Sequence, residues 1–271
     1  MRRSVYLLTG VLLAANYGSE IRTWRAEREA RLKSDAGWLT VAGLFWLKEG
    51  DNHFGTAQSN EIVLPDGAAQ AGWFELRGGR ITVHLPNEVP RTLQADREER
   101  ANVVRIKELT MFPIKRGNRY AIRLRDKNSA YRRHFTGLHW YPIKESARIT
   151  ATFVNEPAKM RVPNILGETE EESSPGYAKF QWAGHELRLR PIQEEGQLFF
   201  IFRDLTSGKE TYPAGRFLYA AVPASGQVIL DFNKAYNPPC AFTPFATCPL
   251  PPAENRLPVR IEAGELPYAK H

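Results

Sequence analysis

Two carboxylates stand where predicted strands end, and their chemistry suits proton transfer. Asp204 follows the apolar run LFFIFR, and Asp231 closes the run VIL. Residues at strand ends lie beside loops, where side chains can line a pocket. Two carboxylates can act as general acid and general base when their surroundings separate their pKa values. If the protein is an enzyme, the sequence predicts a hydrolase or lyase with Asp204 and Asp231 as its catalytic pair.

Polar and aromatic residues near these carboxylates favour another function, the binding of a small polar or anionic ligand. Arg216 could hold an acidic group through paired hydrogen bonds, and nearby tyrosines could supply stacking surface and a hydroxyl. We prefer this binding function because the sequence contains no recognisable set of nucleophile and base. The pocket is expected near residues 231–237. The predicted ligand-binding residues are Tyr212, Arg216, Asn233, Tyr236 and Asn237.

The same residues could instead stabilise the fold. Asp204 and Asn233 belong to the residue types that cap turns. Asp231 could pair with Arg216 in a buried network. The sequence alone leaves this structural alternative open beside the binding and catalytic ones.

Motifs of cofactor and metal sites are missing from the sequence. It contains no GxGxxG, GxxxxGK[ST], HExxH or GxSxG motif, and its six histidines are scattered. The two cysteines have no histidine nearby that could complete a metal site. We therefore predict no metal ion and no cofactor.

The two cysteines, Cys240 and Cys248, lie in a proline-rich stretch at residues 231–256. Proline lacks an N–H and fixes its own φ, which excludes a helix interior or a central strand here. The stretch is also rich in Phe, Tyr and Ala, so we expect a rigid loop packed on the body. In an exported protein the cysteines would form a disulfide worth roughly 2–3 kcal/mol. In the cytosol they would be buried free thiols or a redox pair.

The first residues are typical of a secretory signal. Arg2 and Arg3 precede an apolar run at residues 5–15, and Leu13-Ala14-Ala15 is a tolerable cleavage site. We predict an exported protein, periplasmic or extracellular, with a cytoplasmic protein as the alternative. The net charge of +7 includes no block of five like charges, so no specific nucleic-acid partner is expected. No membrane contact is expected beyond the cleavable signal, and the oligomeric state stays open.

Short apolar runs separated by turn residues predict a mainly β fold, with one N-terminal helix. The helix places Ile21, Trp24, Arg28 and Leu32 on one stripe, at i, i+3, i+7 and i+11. The spacing of the strands predicts a β-sandwich in the N-terminal half and a second β-rich half. The predicted segments are a signal-like segment at 1–19, a helix at 20–37, a sandwich-like half at 38–142 and a second half at 143–271, which ends in the proline-rich loop.

The N-terminal half resembles a forkhead-associated β-sandwich in the order of LKEGDN, Phe54-Gly55 and NEIVLP. The resemblance implies the fold and not its phosphothreonine binding. Thr56 follows Gly55 where that family has an arginine, and Ala71-Gly72-Trp73-Phe74 stands in the region of its Ser-x-x-His element.

Three longer stretches resemble a bacterial and archaeal family of unknown function. They read GWLTVAGLFWLKEGDNHFG, DLTSGKETYPAGRFLY and DFNKAYNPPCAFTPFATCPLPP. The resemblance extends over residues 24–265, and its last motif is the most specific. It implies no established activity, cofactor or catalytic residue, so no functional residue is taken from it.

Overall fold

The N-terminal helix α1 spans Ser4–Lys33. The computed structural model describes residues 4–99 and 102–268, and for residues 4–15 it describes the backbone alone. Ile21 and Leu32 of the predicted stripe are fully buried, and Arg28 is 8% exposed. The observed helix begins before the predicted helix at 20–37 and also ends before it. Its C-terminal end falls at Lys33 because the N–H of Gly37 bonds back to the carbonyl of Ser34 and closes a turn there.

The signal-like segment at 1–19 lies largely outside the residues whose side chains are described, and export stays a prediction. Within the described part of the chain, no helix combines the length and the apolar character needed to cross a membrane.

The described residues divide into two compact units. The first unit contains the helix up to Arg31, residues 136–242 and the chain from Thr247 onward. The second unit contains residues 32–135 and a short piece at residues 243–246.

The second unit is a sandwich of two sheets. One sheet has the strand order β1-β9-β8-β7, and the other has the order β3-β2-β4-β5-β6. Phe54 and Phe74 from one sheet share a core with Met111 and Ile122 from the other. The strands are β1 Val41–Trp46, β2 Gly50–Gly55, β3 Ile62–Val63, β4 Gly72–Arg77, β5 Arg80–His84, β6 Arg91–Leu93, β7 Val104–Ile106, β8 Leu109–Arg116 and β9 Arg119–Asp126, followed by the short helix α2 Ala130–Arg133.

The first unit also contains two sheets, ordered β12-β11-β10-β16 and β13-β14-β15. Ala178 and Leu230 of the first sheet share a core with Phe200 and Leu218 of the second. The strands are β10 Arg148–Pro163, β11 Thr169–Trp182, β12 His185–Leu189, β13 Ile192–Glu194, β14 Gln197–Phe202, β15 Arg216–Ala221 and β16 Gln227–Asp231.

The fold class predicted from the sequence is confirmed: the chain is mainly β, with 45% strand and 15% helix, and it has one N-terminal helix. Alternating burial along the strands is the physical basis of that agreement. The likeness to the forkhead-associated fold stays a prediction.

The proline-rich stretch is irregular, with three short 3-10 helices at Phe232–Lys234, Pro239–Ala241 and Ala253–Asn255. A disulfide joins Cys240 to Cys248, with 6.3 Å between their Cα atoms. The Cys248 carbonyl accepts the N–H of Ile165 at 3.0 Å, where β10 turns into β11. The stretch is therefore packed on the tip of a long hairpin.

Candidate functional site

Arg216, the predicted anion-binding residue, lies in the core of the first unit. It begins β15, and only 1% of its surface is exposed. One terminal nitrogen lies 3.3 Å from Oδ2 of Asp204 and donates to the Ile261 carbonyl at 3.0 Å, and the other donates to the Ala263 carbonyl. Burial lowers the pKa of Arg216, and the Asp204 carboxylate opposes that shift. Both ends of the guanidinium bind groups of the protein itself, so no end is open to a ligand.

Asp204 is enclosed in the same network. Its Oδ1 accepts the Thr206 hydroxyl at 2.6 Å, and its Oδ2 accepts the N–H of Ile261 at 2.6 Å. The Thr206 N–H also donates to Oδ1, at 3.3 Å. Asp204 therefore closes the turn that follows β14 and fixes the C-terminal segment beside it, as the structural alternative requires.

Asp231 and Asn233 hold the N-terminal helix. The Tyr17 hydroxyl donates to Asp231 Oδ1 at 2.8 Å and accepts from Asn233 Nδ2 at 2.8 Å. Asp231 also accepts the N–H of Asn233 at 3.2 Å and so caps the 3-10 helix Phe232–Lys234. Burial and the Asp231 carboxylate raise the pKa of Tyr17, which keeps its hydroxyl protonated as a donor.

Tyr212 and Asn237 also lie inside the first unit. Tyr212 is 8% exposed, and burial raises the pKa of its hydroxyl. Asn237 is fully buried and donates Nδ2 to the Leu266 carbonyl at 2.7 Å. These two residues were expected to line a ligand pocket, but their side chains pack in the interior.

The two predicted catalytic carboxylates, Asp204 and Asp231, line none of the three clefts described below. In the described part of the chain, Asp204 and Asp231 share no hydrogen-bond partner. Asp204 bonds to Arg216, and the Lys234 ammonium lies 3.9 Å from Asp231. Arg216 thus pairs with Asp204, and the expected pair of Arg216 with Asp231 is not formed. Both carboxylates serve the structure of the first unit.

A cleft of about 500 Å³ opens in the first unit beside the predicted segment. Helix α1 supplies one side, and the hairpin of β13 and β14 together with β15 supplies the other. Tyr236 is the member of the predicted set that reaches it. The lining residues are Trp24, Arg28, Arg31, Glu194, Glu195, Gln197, Tyr219, Lys234 and Tyr236.

Arg28 is the best anchored cation of this cleft. Its guanidinium lies 4.4 Å above the Tyr236 ring and donates to the Asn237 carbonyl at 2.9 Å. Its Nε lies 3.5 Å from Oε2 of Glu265, which is fully buried. The residue before Glu265 is Gly264, with a φ of 88°. It lets the backbone pass close to the Ala235 carbonyl, because a Cβ at residue 264 would lie 2.5 Å from that oxygen.

Two further cations and two carboxylates line the cleft. The Lys234 ammonium is 2.6 Å from Oε1 of Glu20, and Arg31 is 3.8 Å from Glu27 on an exposed face of α1. Opposite charge comes from Glu195 and from Glu194, which accepts the Tyr219 hydroxyl at 2.6 Å. The cleft therefore has three cationic side chains and two acidic ones.

Aromatic rings line the cleft together with these charges. The rings of Tyr219 and Tyr236 are nearly parallel, 12° apart, with their centroids separated by 6.4 Å. Burial raises the pKa of Tyr236 to about 12, so its hydroxyl is a neutral donor near pH 7. Among the described residues this hydroxyl has no hydrogen-bond partner. The cleft thus brings cationic side chains and two nearly parallel aromatic rings together.

Two further clefts among the described residues lie in the second unit. One of about 400 Å³ includes Arg119, whose guanidinium already covers the Trp46 ring at 4.0 Å. The other, about 760 Å³ and mostly apolar, includes Tyr131 and Phe245. Neither includes a residue of the predicted set. Among the described residues, no three or more His, Cys, Asp or Glu side chains form a cluster able to hold a metal ion.

The sequence did not indicate most of the cleft, because its residues come from four separate stretches of the chain. Arg28 did carry a signal. A charged residue on an otherwise apolar helical stripe must be paired when it is buried, which marks a polar site beneath the helix. The glutamates of the β13–β14 turn carried no comparable signal, because exposed acids are common in turns.

Comparisons with known proteins give a partial match. No curated protein matches the chain. A solved structure of an uncharacterized protein from Haloarcula marismortui is 29% identical, covering 52% of this chain and 81% of that one, with a TM-score of 0.43. Residues 133–266 match the model of a family described as "Protein of unknown function (DUF1684)", a range that includes the second and third motifs quoted above.

Proposed function

We propose that the protein binds a small polar ligand that carries an anionic group and a flat portion. The site is the cleft between α1 and the strands β13, β14 and β15. The observation that carries this proposal is the convergence of Arg28, Arg31 and Lys234 beside the ring of Tyr236.

The charges support an anionic group on the ligand. Arginine and lysine bind carboxylate or phosphate oxygens through charge-assisted hydrogen bonds, which are stronger than neutral ones. Arg28 is already oriented by its contacts with Tyr236 and the Asn237 carbonyl. A side chain held in place loses little conformational entropy when it binds a ligand.

The aromatic rings support a flat portion. Tyr219 is 38% exposed, and its ring is nearly parallel to that of Tyr236. Exposed aromatic faces bind planar groups by stacking. The volume of about 500 Å³ is that of a site for a small molecule.

The test uses benzoate, a planar carboxylate, titrated calorimetrically at low ionic strength. Arg31→Ala should weaken benzoate binding about three- to tenfold, since it removes one cation at an exposed site. Arg22→Ala is the matched control, because Arg22 is exposed on the same helix and does not line the cleft. Equal affinities of the two variants, or no binding of benzoate to the wild type, would reject the site.

A further inference from the structure

Glu265 contacts Arg28, one of the residues that line the cleft, and it is poorly compensated for a buried carboxylate. None of its surface is exposed. Its Oε2 lies 3.5 Å from Nε of Arg28, and Asn237 also lies close enough to lower its pKa, but its Oε1 has no hydrogen-bond partner among the described residues. A buried charge needs close partners on both oxygens to offset the loss of water.

The guanidinium of Arg28 is shared between Glu265 and the cleft. It binds the Glu265 carboxylate and the Asn237 carbonyl inside the protein, while the same side chain lines the cleft. An anion in the cleft and the carboxylate of Glu265 therefore compete for one cation. They also repel each other, because both are negative and both lie close to it.

We propose that anion binding in the cleft is coupled to protonation of Glu265, which acts through Arg28 as a positioning residue. This inference rests on the proposed function. A protonated Glu265 no longer needs the positive charge of Arg28, so that charge becomes fully available to the ligand. The protonated carboxyl also carries an O–H that can donate a hydrogen bond.

The electrostatics around Glu265 agree with this coupling. Burial raises the pKa of Glu265 to about 7, and Arg28 and Asn237 oppose the rise. Arg216 is neutralised by Asp204 nearby, and the Tyr236 hydroxyl is uncharged near pH 7. The titratable groups that surround Glu265 are Arg28 from α1, Arg216 from β15, Tyr236, and His139 and Tyr141, whose backbones bond to Leu266 and Gly264.

The sign of the pH dependence follows. A bound anion raises the pKa of Glu265 further. Binding therefore takes up a proton at pH values between the pKa of Glu265 in the free protein and its pKa in the complex. Affinity is greatest below about pH 7, where Glu265 is protonated in both states. It should fall as the pH rises above that value, by at most about tenfold per pH unit.

The experiment is a calorimetric titration of the wild type with benzoate at about pH 7.5, in two buffers of different ionisation enthalpy. Benzoate stays ionised over the whole range used. We expect uptake of a fraction of a proton, together with a loss of affinity of about three- to tenfold between about pH 6 and about pH 8.5.

Glu265→Gln mimics the protonated side chain. It should bind benzoate as tightly as the wild type does at low pH, with no dependence on pH. Glu262→Gln is the matched control, an acid on the same segment that forms an ion pair with Arg260, and it should keep the wild-type dependence.

The outcomes separate the two proposals. Benzoate binding without proton uptake, or with the same pH dependence in Glu265→Gln, overturns the coupling and leaves the binding site standing. The wild-type titration decides this alone if Glu265→Gln fails to fold. No binding of benzoate at about pH 6, where the coupling predicts the highest affinity, overturns the proposed function and the coupling with it.

Discussion

Among single residues, two arginines of the first unit show that the same type of side chain can either stabilise the fold or bind a ligand. Arg216 and Arg28 each pair with a buried carboxylate, Asp204 and Glu265. Arg216 directs both terminal nitrogens to oxygens of the protein, whereas Arg28 also covers the Tyr236 ring and lines the cleft. We assign the first arginine to stability and the second to binding on this difference.

Without Arg216, the protein should unfold far more readily. Arg216→Ala leaves Asp204 buried without its counter-charge, which costs about 3–5 kcal/mol. Urea denaturation measures the loss. Arg188→Ala is the control, because that arginine lies on an exposed position of β12 and should change the free energy of unfolding by less than about 0.5 kcal/mol. Similar unfolding free energies for both variants would show that the ion pair is not structural.

The sequence indicates that these residues are polar and near strand ends, and it does not indicate their partners. Arg216 donates to the carbonyl of Ile261, 45 residues further along the chain. A buried network and an open ligand pocket use the same residue types, and long-range packing decides between them. Tyr236 was predicted at the site and does line the cleft, whereas Asp231 and Asn233 form hydrogen bonds with Tyr17.

At the scale of elements, α1 is both a structural support and a wall of the site. Tyr17, in the middle of the helix, bonds to Asp231 and Asn233, and Arg28, nearer its C-terminal end, contacts Glu265. The stripe at i, i+3, i+7 and i+11 predicted the buried face correctly, because helical periodicity is a local property. The surface against which that face packs depends on contacts that the periodicity does not contain.

Tyr17→Phe tests how this helix is held. The variant loses two hydrogen bonds and leaves the Asp231 carboxylate and the Asn233 amide short of a partner, at a cost of about 1–3 kcal/mol. Chemical denaturation is again the measurement. Thr23→Ala, at an exposed position of the same helix, should be nearly neutral. If Tyr17→Phe proves equally neutral, the hydroxyl does not anchor the helix.

At the scale of the whole molecule, composition and turn spacing were enough to predict a mainly β chain. They were not enough to predict that the proline-rich stretch is divided between the two units. Residues 243–246 belong to the second unit, although the flanking residues belong to the first. Thr243 donates its hydroxyl to the Val41 carbonyl at 3.0 Å, a contact across 202 residues that no local pattern encodes.

We propose that the cleft of the first unit receives an anion, and that the two clefts described for the second unit do not. Benzoate titrated into labelled protein and followed by NMR tests this directly over the entire chain. We predict shifts in the Trp24 indole N–H and in the amides of Gln197, Tyr219 and Tyr236. Shifts confined to the neighbourhood of Trp46 and Arg119, or of Tyr131 and Phe245, would contradict it.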